Sequence, residues 1–342
     1  MKRIIFDFIR PPEPRLEQVE SGEAPKESLV GYYYLSKSGY NVAHTSRPAV
    51  EQANGKLRRL IRSLEIPSYS DLRTWRTADT IVLVTRMSLL PAIVVKLMGK
   101  ELVFYDAMQT LPKHPLKNRV LKLVIGLADK IIGFSENQLR EWEKRYPAFR
   151  EKGAAIDYGI DSDFFSPSEV QAERSGQYIS VGRDPNRDFS ILNDFLNTPS
   201  RKLVLVTKDY LVTPQLRENP AVEILDGLSY QELENLYHQS QATIIPLKKG
   251  TTHLSGIRAS LEAMANRTPV IIARNQSLEE YFTDRKHVVF FEPESLSSLE
   301  SALQFLEQPE NRTRMVEEAY QLVREKYNYT QMAESLIRTI EG

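Results

Sequence analysis

From Ile245 to Ile272 the chain reads IPLKKGTTHLSGIRASLEAMANRTPVII: an apolar run ending at Pro246, a small polar loop, a helical stretch opening near Ser255 and Gly256, and a second apolar run from Pro269. The first amides of a helix have no partner within it, and the dipole makes that end positive. The backbone at Ser255, Gly256, Ile257 and Arg258 is therefore suited to hold an anion. Gly256 has no Cβ, so an anion can approach the main chain closely. Glu262 follows six residues after Gly256, about 9 Å along a helix axis. A carboxylate there can accept hydrogen bonds from ribose hydroxyls while a diphosphate sits at the helix start. A second stretch, VGRDPNRDF, places Gly182, Arg183 and Arg187 directly after another apolar run. Two guanidinium groups at a strand end are a clamp for phosphate oxygens.

These residues need strands that end beside one another and helices that start there. In the first half, strands are expected at Arg3–Phe8, Asn41–His44, Thr80–Thr85, Glu101–Tyr105 and Lys130–Phe134. Their nearly continuous apolar character is that of strands buried on both faces. Helices are expected at Glu27–Ser38, Val50–Leu64, Ser88–Leu97, Leu116–Ala128 and Glu136–Arg145, with Gly39 as a C-terminal cap and Ser135 as an N-cap. The alternation then repeats. Strands at Tyr178–Val181, Lys202–Val206, Val222–Leu225, Ala242–Ile245, Pro269–Ala273 and His287–Phe291 interleave with helices at Phe189–Leu196, Gln231–Gln239, Ile257–Asn266, Ser277–Phe282 and Leu296–Leu306. A helical tail follows from Asn311. Strand–helix alternation means a parallel sheet covered on both faces. Two such runs, joined by the polar stretch Asp157–Arg174, predict two doubly wound domains. The expected bounds are 1–160 and 161–325, with a last helix, 326–342, crossing back to the first domain. Ligands of open parallel sheets bind beyond the carboxyl ends of the strands.

Bulk properties narrow the field. A chain of 342 residues suits two domains that each bury a core. The formal net charge is zero, so no overall field draws the protein to nucleic acid. Cysteine is absent, which excludes disulfides, cysteine-bound metal and a thiol nucleophile and agrees with a cytoplasmic setting. The opening MKRIIFDFIRPPEP has no signal-peptide core, and the longest apolar runs are too short to span a bilayer. The five histidines show no H-E-x-x-H spacing, and neither G-x-S-x-G nor G-x-x-x-x-G-K-[ST] occurs.

On these residues the chain resembles the retaining family 4 glycosyltransferases (glycosyl transferases group 1). EAMANRTPVI is similar to their E-A-M-A-x-G-x-P-V-I segment, YGIDSDFFSP to the N-G-V-D-x-x-x-F-x-P segment between the domains, and SVGRDPNRDF to the V-G-R…K-G segment. DGLSYQELENLYHQSQATIIPL follows the run that precedes the donor loop. The motifs fall in family order and cover residues 130–335 well. The resemblance implies a GT-B fold, an α/β architecture of two Rossmann-like domains facing across a cleft. The acceptor would lie on the first domain and a nucleotide diphosphate sugar, with UDP or GDP, on the second. It implies transfer with retention to a carbohydrate or lipid-linked acceptor, no bound metal and no cofactor beyond the donor substrate. Arg183, Arg187 and Asp106 would be catalytic. Gly182, Ser255, Gly256, Ile257, Arg258 and Glu262 would bind the donor. Ser21 and Gly22 would form an acceptor-side turn. Domain closure would hinge near Tyr158–Asp161. Two positions depart from the family. Leu254 stands where it usually has a sugar-contacting Glu, and Tyr105-Asp106 where many members have His-Asp. The first departure keeps open a catalytically silent GT-B subunit that supports a partner transferase, and a GT-B phosphorylase or epimerase is a further alternative.

Plainer readings stand beside these. Glu262 alone is an exposed helix carboxylate, Arg183 a surface charge, Arg187 the partner of Asp184 or Asp188, and Lys248-Lys249 a solvated loop. The basic, leucine-rich stretch Lys113–Lys130 is either a helix with a cationic face in water or a peripheral contact with the inner membrane face. Tyr32, Tyr33 and Tyr34 point in different directions on a helix and read as packing.

Overall fold

The computed structural model describes residues 2–46, 65–106, 114–166 and 176–342. It separates into two compact units, one of Met1–Ser21, Lys26–Asp157 and Met332–Gly342, the other of Gly22–Pro25 and Tyr158–Gln331.

The first unit carries six strands: β1 (Ile4–Phe8), β2 (Val42–Ser46), β3 (Thr80–Val84), β4 (Glu101–Tyr105), β5 (Lys130–Gly133) and β6 (Gly153–Ala155). They form one parallel sheet in the order β2-β1-β3-β4-β5-β6. β1 and β3 are buried along their whole length, as their unbroken apolar runs require. The polar exception in β1 is Asp7, which accepts from Thr45 Oγ1 at 2.8 Å, and Thr45 accepts from Trp75 Nε1 at 3.0 Å. Each buried polar group in that chain therefore has a partner.

Several elements differ from the sequence expectation. β6 has only small residues and no β-branched signature. The helix Tyr69–Trp75 had its signal in a capping box, Ser68 with Asp71, and it buries Trp75 completely. The helix Glu13–Glu20 is polar and starts after a proline. The helix expected over Glu27–Ser38 is broken into Lys26–Leu29 and Tyr32–Lys37, because Val30 adopts a left-handed φ of 59°. Val50–Leu64 lies outside the described residues, as does part of the expected linker. Tyr32 packs edge-on to Phe6, Phe8 and His44, and Tyr34 donates to Glu334 at 3.0 Å.

The second unit carries β7 (Gln177–Val181), β8 (Lys202–Val206), β9 (Val222–Leu225), β10 (Ser240–Ile245), β11 (Val270–Ala273) and β12 (Val289–Phe291). All are parallel, in the order β12-β11-β10-β7-β8-β9. Chain direction across this sheet reverses at β7 and β10, which are neighbours although β8 and β9 separate them in sequence. In open parallel sheets the ligand site lies at the carboxyl ends of the strands at such a switch point. The strand ends at Val181 and Ile245 are those that the sequence marks for anion chemistry. The segment Tyr158–Asp161 is tied down within this unit: Ile160 N donates to Tyr327 O at 3.0 Å, Tyr329 N to Ile160 O at 2.7 Å, and Tyr158 N to the Tyr281 hydroxyl at 2.8 Å.

Candidate donor site at the switch point of the second sheet

The loop after β7 is folded by its own polar residues. Arg187 N donates to Asp184 O at 3.0 Å, and Asn186 donates to Asp184 Oδ1 from its main chain at 2.9 Å and from its side chain at 2.7 Å. It is stitched to the loop after β10 by Asp188 N to Pro246 O, Lys248 N to Asn186 O and Lys248 Nζ to Pro185 O, at 3.2, 2.9 and 2.8 Å. The loop Thr251–His253 is clasped from the far side: Asn275 Nδ2 donates to Thr251 O at 2.7 Å and His253 O at 3.2 Å, and Ser277 Oγ to Thr252 O at 2.7 Å.

Arg187 lies at the junction. It is 6% exposed. Nη2 donates to Val181 O at 2.9 Å, while Nε and Nη1 find no acceptor among the described residues. Burial pulls its pKa down to about 10, against the charge of Asp184. Two glycines make room for it. A Cβ on Gly182 would stand 2.2 Å from Arg187 Nε, and one on Gly256 would stand 3.1 Å from Nη1. Gly256 is the N-cap of the helix Ile257–Ala265, with φ 93° and no side-chain cap. A buried cation with two such nitrogens thus abuts a helix start whose first amides also lack side-chain acceptors. A buried N–H left unpaired costs about 1–3 kcal/mol, so this arrangement is understood best as one organised for an oxyanion.

The other expected site residues fall in different surroundings. Arg183 is half exposed and pairs with Asp226 at 3.2 Å, which also holds Lys208 at 2.9 Å. Glu262 is buried. Its Oε1 accepts from Arg258 Nε at 2.8 Å and its Oε2 from the Tyr237 hydroxyl at 3.1 Å. Arg258 in turn donates to the Tyr230 hydroxyl at 3.2 Å and lies over that ring. Burial and the Glu262 charge raise the Tyr237 pKa well above its ordinary value, so it stays a donor. Each carboxylate oxygen of Glu262 keeps lone-pair capacity for a further donor. Ser255 is buried beside Gly256. Leu254 packs against the apolar core of this unit. Asp106, in the first unit, is exposed at the end of β4 with a left-handed φ of 51°, its N donating to Ile132 O at 3.1 Å. Thr85, at the end of neighbouring β3, has φ 65°. Ser21 closes the helix Glu13–Glu20, donating to Glu17 O at 2.9 Å, and Gly22 follows at φ 77°.

Reading the sequence missed Asp184, Asn186 and His253. His253 Nε2 stands 2.8 Å from Asp184 Oδ2. Burial pushes the Asp184 carboxyl up, but hydrogen bonds from His253 and Asn186 outweigh it and hold the group well below the usual carboxylate range. The available signal was the Asp-x-Asn spacing of an Asx turn; His253 carried none. Arg267 stands at the glycine position of the family motif and takes a left-handed φ of 53°, with its guanidinium stacked over Tyr320 at 4.0 Å. Among the described residues no group of three or more His, Asp or Glu side chains is placed to hold a metal, and no helix is long and apolar enough to cross a membrane.

Two doubly wound, all-parallel six-stranded units in one chain, with an anion-suited helix start at the switch point of the second, define the GT-B glycosyltransferase fold. Residues 194–338 match the family described as glycosyl transferase-like. Solved structures match over essentially the whole length. HepE of Anabaena in complex with UDP and glucose is 16% identical with a TM-score of 0.71, covering 100% of both chains. Sucrose-phosphate synthase of Thermosynechococcus elongatus is 15% identical with a TM-score of 0.72, covering 100% of this chain and 98% of that one. A glycosyltransferase of Rickettsia africae is 13% identical with a TM-score of 0.69, covering 99% and 97%. No curated protein sequence matches the chain.

Proposed function

We propose that the protein is a glycosyltransferase that takes a sugar from a nucleoside diphosphate sugar, with UDP as the first candidate carrier, and transfers it to a carbohydrate or lipid-linked acceptor. The observation that carries this reading is the buried Arg187 guanidinium, with two nitrogens lacking acceptors among the described residues, set against Gly256 at the start of the helix Ile257–Ala265. As the glycosidic bond to the leaving diphosphate breaks, negative charge grows on the bridging oxygen. Preorganised donors stabilise that charge more than they stabilise the bound donor, and this lowers the barrier. Arg187 and the amides from Ile257 onward fill that role, and Glu262, braced by Arg258 and Tyr237, takes the ribose. HepE of Anabaena has been solved with UDP and with UDP-glucose, which supports the choice of base. Retention of anomeric configuration and a reaction without bound metal follow from the family resemblance. Product anomericity by NMR and turnover in EDTA test them, with a retained anomer and unchanged rate expected. The reading as a whole is tested by thermal shift. UDP or GDP sugars should raise the melting temperature by mass action, and no stabilisation by any of them would overturn it.

Leu254 favours a second reading, a GT-B subunit without catalysis, since an apolar core contact stands where the family has a sugar ligand. Donor binding with neither transfer nor hydrolysis would establish it.

The acceptor side is suited to a membrane surface. Five of the eight exposed large apolar side chains among the described residues, Ile93, Leu97, Leu116, Val120 and Leu123, lie on the helices Leu89–Leu97 and Pro115–Leu127, which pack together. Lys117, Arg119 and Lys122 are exposed on the second helix. Apolar side chains flanked by cations favour an anionic lipid interface. The protein should co-sediment with phosphatidylglycerol vesicles at low salt, and Leu116→Glu with Leu123→Glu should abolish this.

A further inference from the structure

Resting on that donor site, we propose that His253 is its proton-uptake partner: a nucleoside diphosphate bound at Arg187 and Gly256 drives protonation of the His253 imidazole, which Asp184 holds ready. The argument starts from charge. Asp184 is the carboxylate whose charge acts on Arg187, and it sits in the same turn, its main-chain oxygen accepting from Arg187 N. An incoming diphosphate brings two negative charges beside that carboxylate, in a place where Arg187 is shielded from water. Like charges at short range in low dielectric repel strongly. The group placed to relieve this is His253. Its Nε2 stands 2.8 Å from Asp184 Oδ2 and 3.4 Å from the Asn186 amide nitrogen.

With Nε2–H donated to Asp184, the proton taken from solvent goes to Nδ1, and the imidazolium then offsets one charge of the ligand. The backbone that carries the ring is held in place. Its main-chain oxygen is held by Asn275 and by Ser255 N, and Thr251 O and Thr252 O are held by Asn275 and Ser277. His253 is also three residues from the N-cap Gly256. The charged groups around it are Asp184 and Arg187 on the loop after β7 and Lys248 and Lys249 on its own loop; the residues that clasp it from the β11 side, Asn275 and Ser277, do not titrate. The arrangement makes donor capture stronger in acid and product release easier in base.

The probe is a nucleotide sugar, because its diphosphate is a diester with no ionisation near neutral pH, unlike free UDP. Isothermal titration of UDP-glucose, or of GDP-mannose where UDP-glucose does not bind, is run in buffers of different ionisation enthalpy and from pH 6 to 8.5. Net proton uptake is expected, with Kd rising as pH rises and approaching about tenfold per pH unit at the alkaline end. His253→Gln should retain a hydrogen bond to Asp184 yet show no uptake and a flat Kd, and Asp184→Asn should reduce the uptake. Binding of either sugar with no buffer-dependent heat and a pH-independent Kd overturns this inference and leaves the donor site standing. Failure of both sugars to bind at every pH overturns the donor site and this inference together. A brace with no protonation role would leave the uptake at zero in the wild-type protein as well.

Discussion

Arg187 is held by folding yet left incomplete by it. A guanidinium can donate five hydrogen bonds, and two of its three nitrogens have no acceptor among the described residues. Burying a charge carries a desolvation cost that an apolar side chain of similar size does not. Arg187→Met should therefore leave the ligand-free melting temperature unchanged or raised. It should weaken nucleotide-sugar binding by about 2 kcal/mol or more, roughly thirtyfold. Calorimetry with and without donor checks both halves. A large loss of ligand-free stability would show that Arg187 serves the fold. Glu262 presents the opposite case, since both of its oxygens already have donors from Arg258 and Tyr237.

At the scale of elements, the site depends on three loops that are rigid because they hold each other. The turn after β7 is closed by Asp184 and Asn186, and the loop after β10 by Lys248 and by the clasp from Asn275. Asn275 is buried, donates to two main-chain oxygens, and accepts from Ser277 N at 2.8 Å as the N-cap of the short helix that follows. Asn275→Ala removes all three bonds and takes from Thr251 O and from the buried Ser277 N the partner that Asn275 supplies. A loss of about 1–3 kcal/mol is expected, visible as a lower denaturation midpoint, with a raised KM for the donor because His253 and Gly256 lose their support. Unchanged KM would separate this clasp from donor binding.

For the whole molecule, zero net charge removes long-range steering, so the response to pH comes from individual buried groups. His287 is one. Burial and the neighbouring Lys286 lower its pKa, against Glu318, and its Nδ1 accepts from Thr283 N at 3.1 Å, which requires the neutral ring. The unfolded chain binds a proton near 6.5 that the folded chain resists, so the unfolded state gains protons first and stability falls as pH drops through that value. Melting temperatures should decline between pH 7.5 and 5.5, and more steeply in the wild-type protein than in His287→Gln. Equal slopes would remove His287 from the account.

Strand–helix alternation, two parallel sheets and the position of the helix opening at Gly256 were all legible in the sequence, because they rest on local periodicity and on residues without substitutes at their backbone angles. Elements lacking that periodicity, such as β6 with its small residues and the polar helix Glu13–Glu20, were not. Which cation meets the helix start was beyond the sequence too. Arg183 and Arg187 are equivalent there, and only the packed fold turns one toward Asp226 and buries the other between two glycines. The pairing of His253 with Asp184 joins residues on two loops that β8 and β9 separate along the chain, and only the adjacency of β7 and β10 in the sheet brings them within hydrogen-bond reach.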